Sequence, residues 1–296
     1  MRLISAHVQG YGRIANSKIN LDAKVIAIVG PNEAGKTTLL KALAHVDGET
    51  AVPAFQRSRA IDVADDTNVT SLDYVVEDED RAALADLDLQ ELPTRAHISR
   101  SASGDKLTVE LTPRPLRSVR PLQDPLKKLH AASENDNLVN WIDPNTSYGD
   151  PDSDDPHDYG KELLSVIAAL GAAIGEPGSP LSGEVVESVR SLQSVTLDSD
   201  VDAEELRAAY SAITAWSELD APGSAARNRI WCRTTDFILF DEADRSIQSA
   251  YTFDDALVSS PPVALANLAG TASLNLTELL HLVRTGDVAR RRTAIV

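Results

Sequence analysis

The sequence predicts an α/β fold with a β-rich N-terminal lobe and a helical insertion. Two observations carry that reading. Short β-branched and apolar runs open the chain, and the last of them, Val25-Ile26-Ala27-Ile28-Val29, stops at Gly30-Pro31. The apolar spacing then turns helical, and clear strand character returns late, at Phe237-Ile238-Leu239-Phe240. Apolar residues every three or four positions mark one face of a helix. A short continuous apolar run suits a strand buried on both faces.

Each element follows in order. Arg2 to Gln9 and Ile14 to Leu21 read as strands, the second turning at Asp22-Ala23, and Val25 to Val29 reads as a buried strand. Lys36 to Ala44 is helical, with Leu39, Leu40 and Leu43 on one face. Leu72, Tyr74 and Val76 alternate, and Asp78 is the expected N-cap of a short helix carrying Leu84 and Leu87. Ala96-His97-Ile98-Ser99 and Leu107 to Leu111 flank Ser103-Gly104-Asp105, the pattern of a β-hairpin. The acidic Pro/Asp/Ser stretch near 143–158 is expected to be a flexible connection.

Three helices are expected next. Leu163, Ile167, Leu170 and Ile174 line the first, which Gly175 and Pro177 end; Val185, Val189 and Leu192 mark the second. Asp202 and Glu205 form a capping pair for the third, with Leu206, Tyr210, Ile213 and Trp216 inward. Asn275 and Glu278 cap a last helix bearing Leu276, Leu279, Leu280 and Val283. The expected division is a lobe over 1–120, an acidic linker with the helical insertion over 121–230, and a return to the core over 231–296.

Composition narrows the function classes. The chain has 296 residues, 43% hydrophobic and 25% charged, which is ordinary for a globular protein. Its net charge of −17, from 45 acidic and 28 basic side chains, argues against coating DNA or anionic lipid by bulk charge. Glu134 to Asp158 alone holds eight carboxylates and no lysine or arginine, which leaves room for a basic surface elsewhere. No apolar run reaches the ~20 residues of a membrane-spanning helix, and the N-terminus lacks the pattern of a signal peptide. The single cysteine, Cys232, allows no internal disulfide and no Cys-based zinc cage. A cytoplasmic location is expected.

Gly30-Pro31-Asn32-Glu33-Ala34-Gly35-Lys36-Thr37 fits G-x-x-x-x-G-K-[ST] at every fixed position, between an expected strand and an expected helix. Glycines let the backbone curl so that successive N–H groups face phosphate oxygens, and the helix N-terminus adds its positive dipole end. Lys36 supplies a cation to the β- and γ-phosphates. The Thr37 hydroxyl is a ligand for Mg²⁺, so the cofactors are ATP and Mg²⁺.

Phe237 to Phe240 followed by Asp241-Glu242 has the shape of a Walker B strand. Asp241 would hold the metal through water, and Glu242 would polarise the attacking water. The same residues also read as a core strand ending in a solvated acidic turn. Leu181-Ser182-Gly183-Glu184 reads as a helix start, Asp220 to Gly223 as a helix stop, and Arg290-Arg291-Arg292 as a basic helix end.

Arg2 to Ile4, Gly10-Tyr11-Gly12-Arg13-Ile14, and Val25 to Val29 leading into the Gly-Pro-Asn-Glu-Ala-Gly-Lys-Thr-Thr loop together resemble the ABC-type ATPases of the SMC/RecF/OLD group. The Pro-Asn-Glu-Ala interior is most similar to AAA-family ATP-binding proteins of the OLD (overcoming lysogenization defect) kind. The resemblance implies an ABC-ATPase-like head with the P-loop NTPase fold. Its ATP is sandwiched between two protomers, one giving the phosphate loop and the other a signature serine, hence a homodimer or higher oligomer.

Carried onto this sequence, the resemblance gives Arg13, Gly30, Asn32, Glu33, Ala34, Gly35, Lys36, Thr37 and Thr38 as nucleotide-binding residues. The motif reading makes Thr37 and Asp241 the metal ligands and Glu242 the catalytic carboxylate, whereas the resemblance places Asp241 and Glu242 before the true Walker B strand. Related proteins serve DNA repair, chromosome handling or phage defence, some with a nuclease domain, which implies a nuclease or DNA-processing partner. The chain departs from the pattern in lacking a signature loop close before an Asp-Glu strand and a Toprim-like acidic domain. The expectation is therefore the N-terminal portion of a longer protein. Three functions compete: an ATP-hydrolysing head linked to DNA processing, a nucleotide-gated interaction module with little turnover, and a small-molecule P-loop kinase or NTPase.

Overall fold

The computed structural model describes residues 1–134, 142–143, 157–176, 178, 181–196, 203–240, 242, 246–248 and 250–285. They form an α/β fold of two compact units. One comprises Arg2–Tyr74, His97–Val109 and Thr234–Val296. The other comprises Met1, Val75–Ala96 and Glu110–Arg233.

The first unit is built on a five-stranded sheet. Its strands are β1 (Arg2–Tyr11), β2 (Ile14–Asn20), β3 (Asn68–Val75), β4 (Arg95–Ser101) and β5 (Leu107–Thr112), in the order β2-β1-β3-β4-β5. β1 and β2 run antiparallel, closed by the pair Tyr11 and Ile14, so Gly12-Arg13 is a two-residue turn. Gly12 has φ +56°, and such turns place glycine first because that position needs positive φ. The β4–β5 hairpin turns at Gly104, as the sequence pattern predicts. There, at φ +78°, a Cβ would lie 2.6 Å from the Thr50 carbonyl group.

Helix α1 (Lys36–Ala44) buries Leu39, Ala42 and Leu43 and packs on β1, where Ala6 and Val8 are fully buried. Polar side chains fix its C-terminal half. The buried Thr70 hydroxyl on β3 donates to the Ala42 carbonyl at 2.6 Å. Buried Arg100 on β4 donates to the carbonyls of Val46 and Gly104, at 2.9 and 3.0 Å, and so puts a cation just beyond the helix C-terminus, its negative end. Later in the chain come α8 (Asp255–Ser259), α9 (Val263–Thr271) and α10 (Leu276–Thr285). Asn275 caps α10 by accepting from the N–H groups of Thr277 and Glu278.

Two expected strands do not form. Residues 25–29 and 237–240 have no strand partner among the described residues, and Val25 and Val29 are each 87% exposed. An apolar run becomes a buried strand only where neighbours take up its N–H and C=O groups on both sides. The sheet β2-β1-β3-β4-β5 offers neither run a place. Asp47 accepts from the Phe237 N–H at 2.7 Å, and the Leu239 carbonyl accepts from the Asn267 amide at 3.4 Å. Both tethers leave the run without regular structure, with Phe240 54% exposed.

The second unit is helical: α2 (Asp78–Ala82), α3 (Gln123–Ser133), α4 (Tyr159–Gly175), α5 (Gly183–Thr196), α6 (Ala203–Glu218) and α7 (Gly223–Trp231). A two-residue antiparallel bridge pairs β6 (Ile142–Asp143) with β7 (His157–Asp158). The apolar faces of α3 to α6 meet in one core around Leu129, Leu163, Leu170, Val189, Tyr210 and Ile213; α4 to α6 follow the spacing the sequence predicts, while α3 was not among the expected helices. Ser182 caps α5 by accepting from the Val185 N–H, and α6 stops before Asp220, both as expected. The cap of α2 shifts by one residue to Glu77, whose N–H and side chain exchange bonds with Asp80. The rest of the 143–158 connection, Asp202 and Arg290 to Arg292 lie outside the described residues.

Asp80 is the buried polar centre of this unit. Its carboxylate takes the Met1 ammonium at 2.7 Å and the Arg233 guanidinium at 2.7 Å, and is itself 1% exposed. Burial alone would raise its pKa. The bonds from the Met1 ammonium, Arg233 and the Glu77 N–H outweigh that and hold it below the usual carboxylate range. Asp80→Asn is expected to destabilise the folded chain by about 3 kcal/mol at pH 7, the lower end for a broken buried pair. A carboxyl with a depressed folded pKa stabilises above its unfolded pKa, about 4, and loses that contribution as pH falls through the folded value. Urea unfolding from pH 6 to pH 3 should therefore show the gap between wild type and variant closing below about pH 4.

Candidate functional site

Residues 30–37 enter α1 from a mostly exposed segment without strand pairing among the described residues, so the loop takes its shape from its own backbone and from the helix. Glu33 has φ +65°, and Gly35, the N-cap residue, sits in the left-handed region at φ 90°, ψ 12°. Left-handed residues interleaved in a short loop turn successive N–H groups toward one concavity, a ready anion cradle. Helix α1 has no side-chain cap and no acidic residue in its first turn. Its leading N–H groups have no intrahelical acceptor, and the positive dipole end is left uncompensated.

The Lys36 ammonium closes the loop from within. It donates to the Gly30 carbonyl at 2.8 Å and to the Pro31 carbonyl at 2.6 Å. An ammonium has three donors, so one stays open beside the cradle. The Thr37 hydroxyl is exposed and makes no hydrogen bond among the described residues, so an oxygen ligand is available there for a hard divalent cation such as Mg²⁺. Asn32 and Ala34 are exposed in the same loop, which the Ala34 N–H tightens by donating to the Pro31 carbonyl at 3.3 Å.

The β1–β2 hairpin places its tip on this loop. Arg13 donates to the Glu33 carbonyl at 3.0 Å and to its carboxylate at 3.3 Å. Both side chains are exposed, so the pair adds little stability but sets a guanidinium at the rim. Gly12 lies against Thr38, where a Cβ would stand 2.6 Å from the Thr38 methyl group. The Gly12 N–H in turn donates to the Gln56 carbonyl at 2.5 Å.

The structure thus gathers Arg13, Gly30, Asn32, Glu33, Ala34, Gly35, Lys36, Thr37 and Thr38 at one loop. Glu242 is exposed and has no hydrogen bond or ion pair to that loop among the described residues, and Asp241 lies outside them. Behind α1, burial pushes the Asp47 carboxyl up, the Phe237 N–H works against that, and Asp236 adds to it. Burial takes the Tyr74 hydroxyl up to about 12. Burial also pulls the His45 imidazole down, opposed by its bond to the Ser101 carbonyl and reinforced by Arg100. These polar contacts at the far end of α1 are absent from the sequence reading, because they join residues distant along the chain. Gly12 carries a readable signal: glycine in first place of a two-residue hairpin turn.

The family model of an AAA domain matches residues 5–81, from β1 through the loop and α1 to α2. This segment is similar to an AAA domain of the SMC/ABC-like kind. The match brings the expectation of ATP binding and ATPase activity to the AAA-like segment. No curated protein matches the chain. Among the described residues no helix is long and apolar enough to cross a membrane.

The contact between Gly12 and Thr38 makes the AAA-like segment testable. Gly12→Ala should lower stability by about 1–2 kcal/mol, from the left-handed backbone alone, before any cost of pushing Thr38 away. Gly171→Ala, in α4 with open space where its Cβ would go, should instead stabilise by about 0.5–1 kcal/mol. Urea midpoints moving in opposite directions for the two glycines check this.

Proposed function

We propose that the chain is an ATP–Mg²⁺-binding, ATP-hydrolysing head of the P-loop type. The observation that carries the reading is the Lys36 ammonium folded over a left-handed loop at an uncapped helix N-terminus. Phosphate oxygens complete what that arrangement leaves open: the third ammonium donor, the leading N–H groups of α1 and the Arg13 guanidinium. Thr37 would hold the Mg²⁺, which when bound neutralises phosphate charge. The AAA-domain match supports the nucleotide as ATP.

The resemblance of the Pro-Asn-Glu-Ala loop supports a finer reading within the ABC/OLD kind. A second copy would close over the nucleotide as homodimer or higher oligomer. The work done would be DNA processing or phage defence with a nuclease or DNA-processing partner. DNA contact would then run through that assembly and not through bulk charge. The division 1–120, 121–230 and 231–296 belongs to the same reading, as does a cytoplasmic location.

One observation favours a second reading. Glu242 makes no bond to the loop among the described residues, and residues 237–240 have no strand partner there. A nucleotide-gated interaction module would bind ATP and dimerise or dock a partner with little turnover of its own.

Three measurements decide. Lys36→Ala should weaken a labelled ATP analogue at least tenfold, each tenfold being about 1.4 kcal/mol. Unchanged affinity in a folded variant rejects the phosphate-loop reading. Thr37→Val keeps the shape and removes the ligand oxygen, so its ATP affinity should become nearly insensitive to added Mg²⁺. Glu242→Gln separates the two functions: steady-state hydrolysis abolished with binding retained identifies the enzyme. Little turnover before mutation and no change after it identifies the module.

A further inference from the structure

The helical unit holds a cavity of about 390 Å³ between the segment 114–117, the end of α6 and the start of α7. That volume lies within the range of small-molecule sites. Three arginines line it, Arg114, Arg117 and Arg227, and no carboxylate does, in a chain whose net charge is −17.

The three arginines differ in what they already do. Arg117 is committed. It lies over the Trp216 ring at 5.1 Å and donates to the Trp216 carbonyl at 2.5 Å, and also to the carbonyls of Leu219 and Asp220 at the end of α6. Trp216 is held in turn, its indole N–H donating to the Ser118 carbonyl at 2.9 Å. Arg114 and Arg227 make no ion pair and no side-chain hydrogen bond among the described residues. Arg81, Arg190, Arg229 and Arg233 of the same unit each sit on a carboxylate, while Arg95 and Arg120, which do not line the cavity, also make no ion pair among the described residues. Arg227 folds back over the start of α7, its Nη1 3.4 Å from where a Gly223 Cβ would lie. The remaining wall is largely apolar, with Leu181, Val186 and Leu219 among its side chains.

We propose that this cavity binds a small amphiphilic oxyanion, a carboxylate or phosphate carrying an apolar body. Arg114 and Arg227 take the head group, since a guanidinium matches planar oxyanions through paired N–H donors. The apolar wall takes the body, whose burial supplies affinity that the head group alone would lack. Arg117 and Trp216 hold the wall rigid and do not meet the head group.

The test uses the full chain and isothermal titration with octanoate, octyl phosphate and neutral octanol. At least one of the two anions should saturate one site, and which one binds tighter identifies the head group. Octanol should bind at least tenfold weaker. Arg114→Ala/Arg227→Ala should lose at least tenfold in anion affinity with an unchanged melting temperature, whereas Arg190→Ala, on an exposed helix pair, should lose none. Val186→Trp, which fills the apolar wall, should block binding while both arginines remain. The anions should saturate this site equally well with excess ATP and Mg²⁺ present, which keeps the result independent of the loop 30–37. The proposal is overturned if neither anion saturates, if octanol matches them, or if the double variant binds unchanged. Binding of an acidic peptide without either small anion would also overturn it.

Discussion

The loop 30–37 of this chain is held from behind. Thr70, buried in the sheet, spends its hydroxyl on the Ala42 carbonyl, and Arg100 spends its guanidinium on the carbonyls of Val46 and Gly104. These bonds pin the C-terminal half of α1 against β3 and β4. An unpaired buried threonine hydroxyl or arginine would cost more than such a bond returns, so the sheet and helix have one register in which all these groups are satisfied. Given that register, the N-terminus of α1 is fixed, and with it the first N–H groups and the root of Lys36.

This matters because the loop has no anchor on its other side among the described residues. Residues 25–29 run, mostly exposed and without strand pairing among the described residues, into Gly30. A loop suspended between an anchored helix and an unanchored lead-in must draw its shape from local contacts. The loop has two. Lys36 ties the Gly30 and Pro31 carbonyls to the first residue of the helix, and Arg13 on the hairpin turn ties Glu33. Gly12 lets that hairpin approach Thr38 closely enough for Arg13 to reach. The cradle is therefore preorganised by cations already engaged with backbone carbonyls, and each retains a donor for a ligand.

Much of this was legible in the residues. The hairpin β4–β5, the helix from Lys36 and the helical unit's inward leucines follow from spacing alone, because period and turn chemistry are local properties. The place of the loop, directly before the helix from Lys36, was legible because its glycines and helix start are also local signals. The runs Val25 to Val29 and Phe237 to Phe240 misled for a definite reason. Apolar composition says that a segment favours burial, but a strand is completed by partners that composition does not name. The anchors of α1 were illegible for a related reason. Thr70, Arg100 and His45 look like ordinary strand or helix-end residues until the fold sets them beside Ala42, Val46 and Ser101.

The acidity of the chain does not conflict with the two proposed anion sites, and the reason is range. At physiological ionic strength charges separated by more than about 8 Å are largely screened, so the carboxylates crowded between Glu134 and Asp158 set solubility and long-range repulsion more than local affinity. What a phosphate or carboxylate meets at contact is decided by groups within hydrogen-bonding reach. At the loop these are one ammonium, one guanidinium and a helix end with no acidic residue in its first turn. In the cavity of the helical unit they are arginines without carboxylate partners among the described residues. If the proposed sites hold, the overall charge would work as a filter: it would slow the approach of polyanions such as bulk nucleic acid, while a compact anion fitting the loop would be held by short, directed bonds.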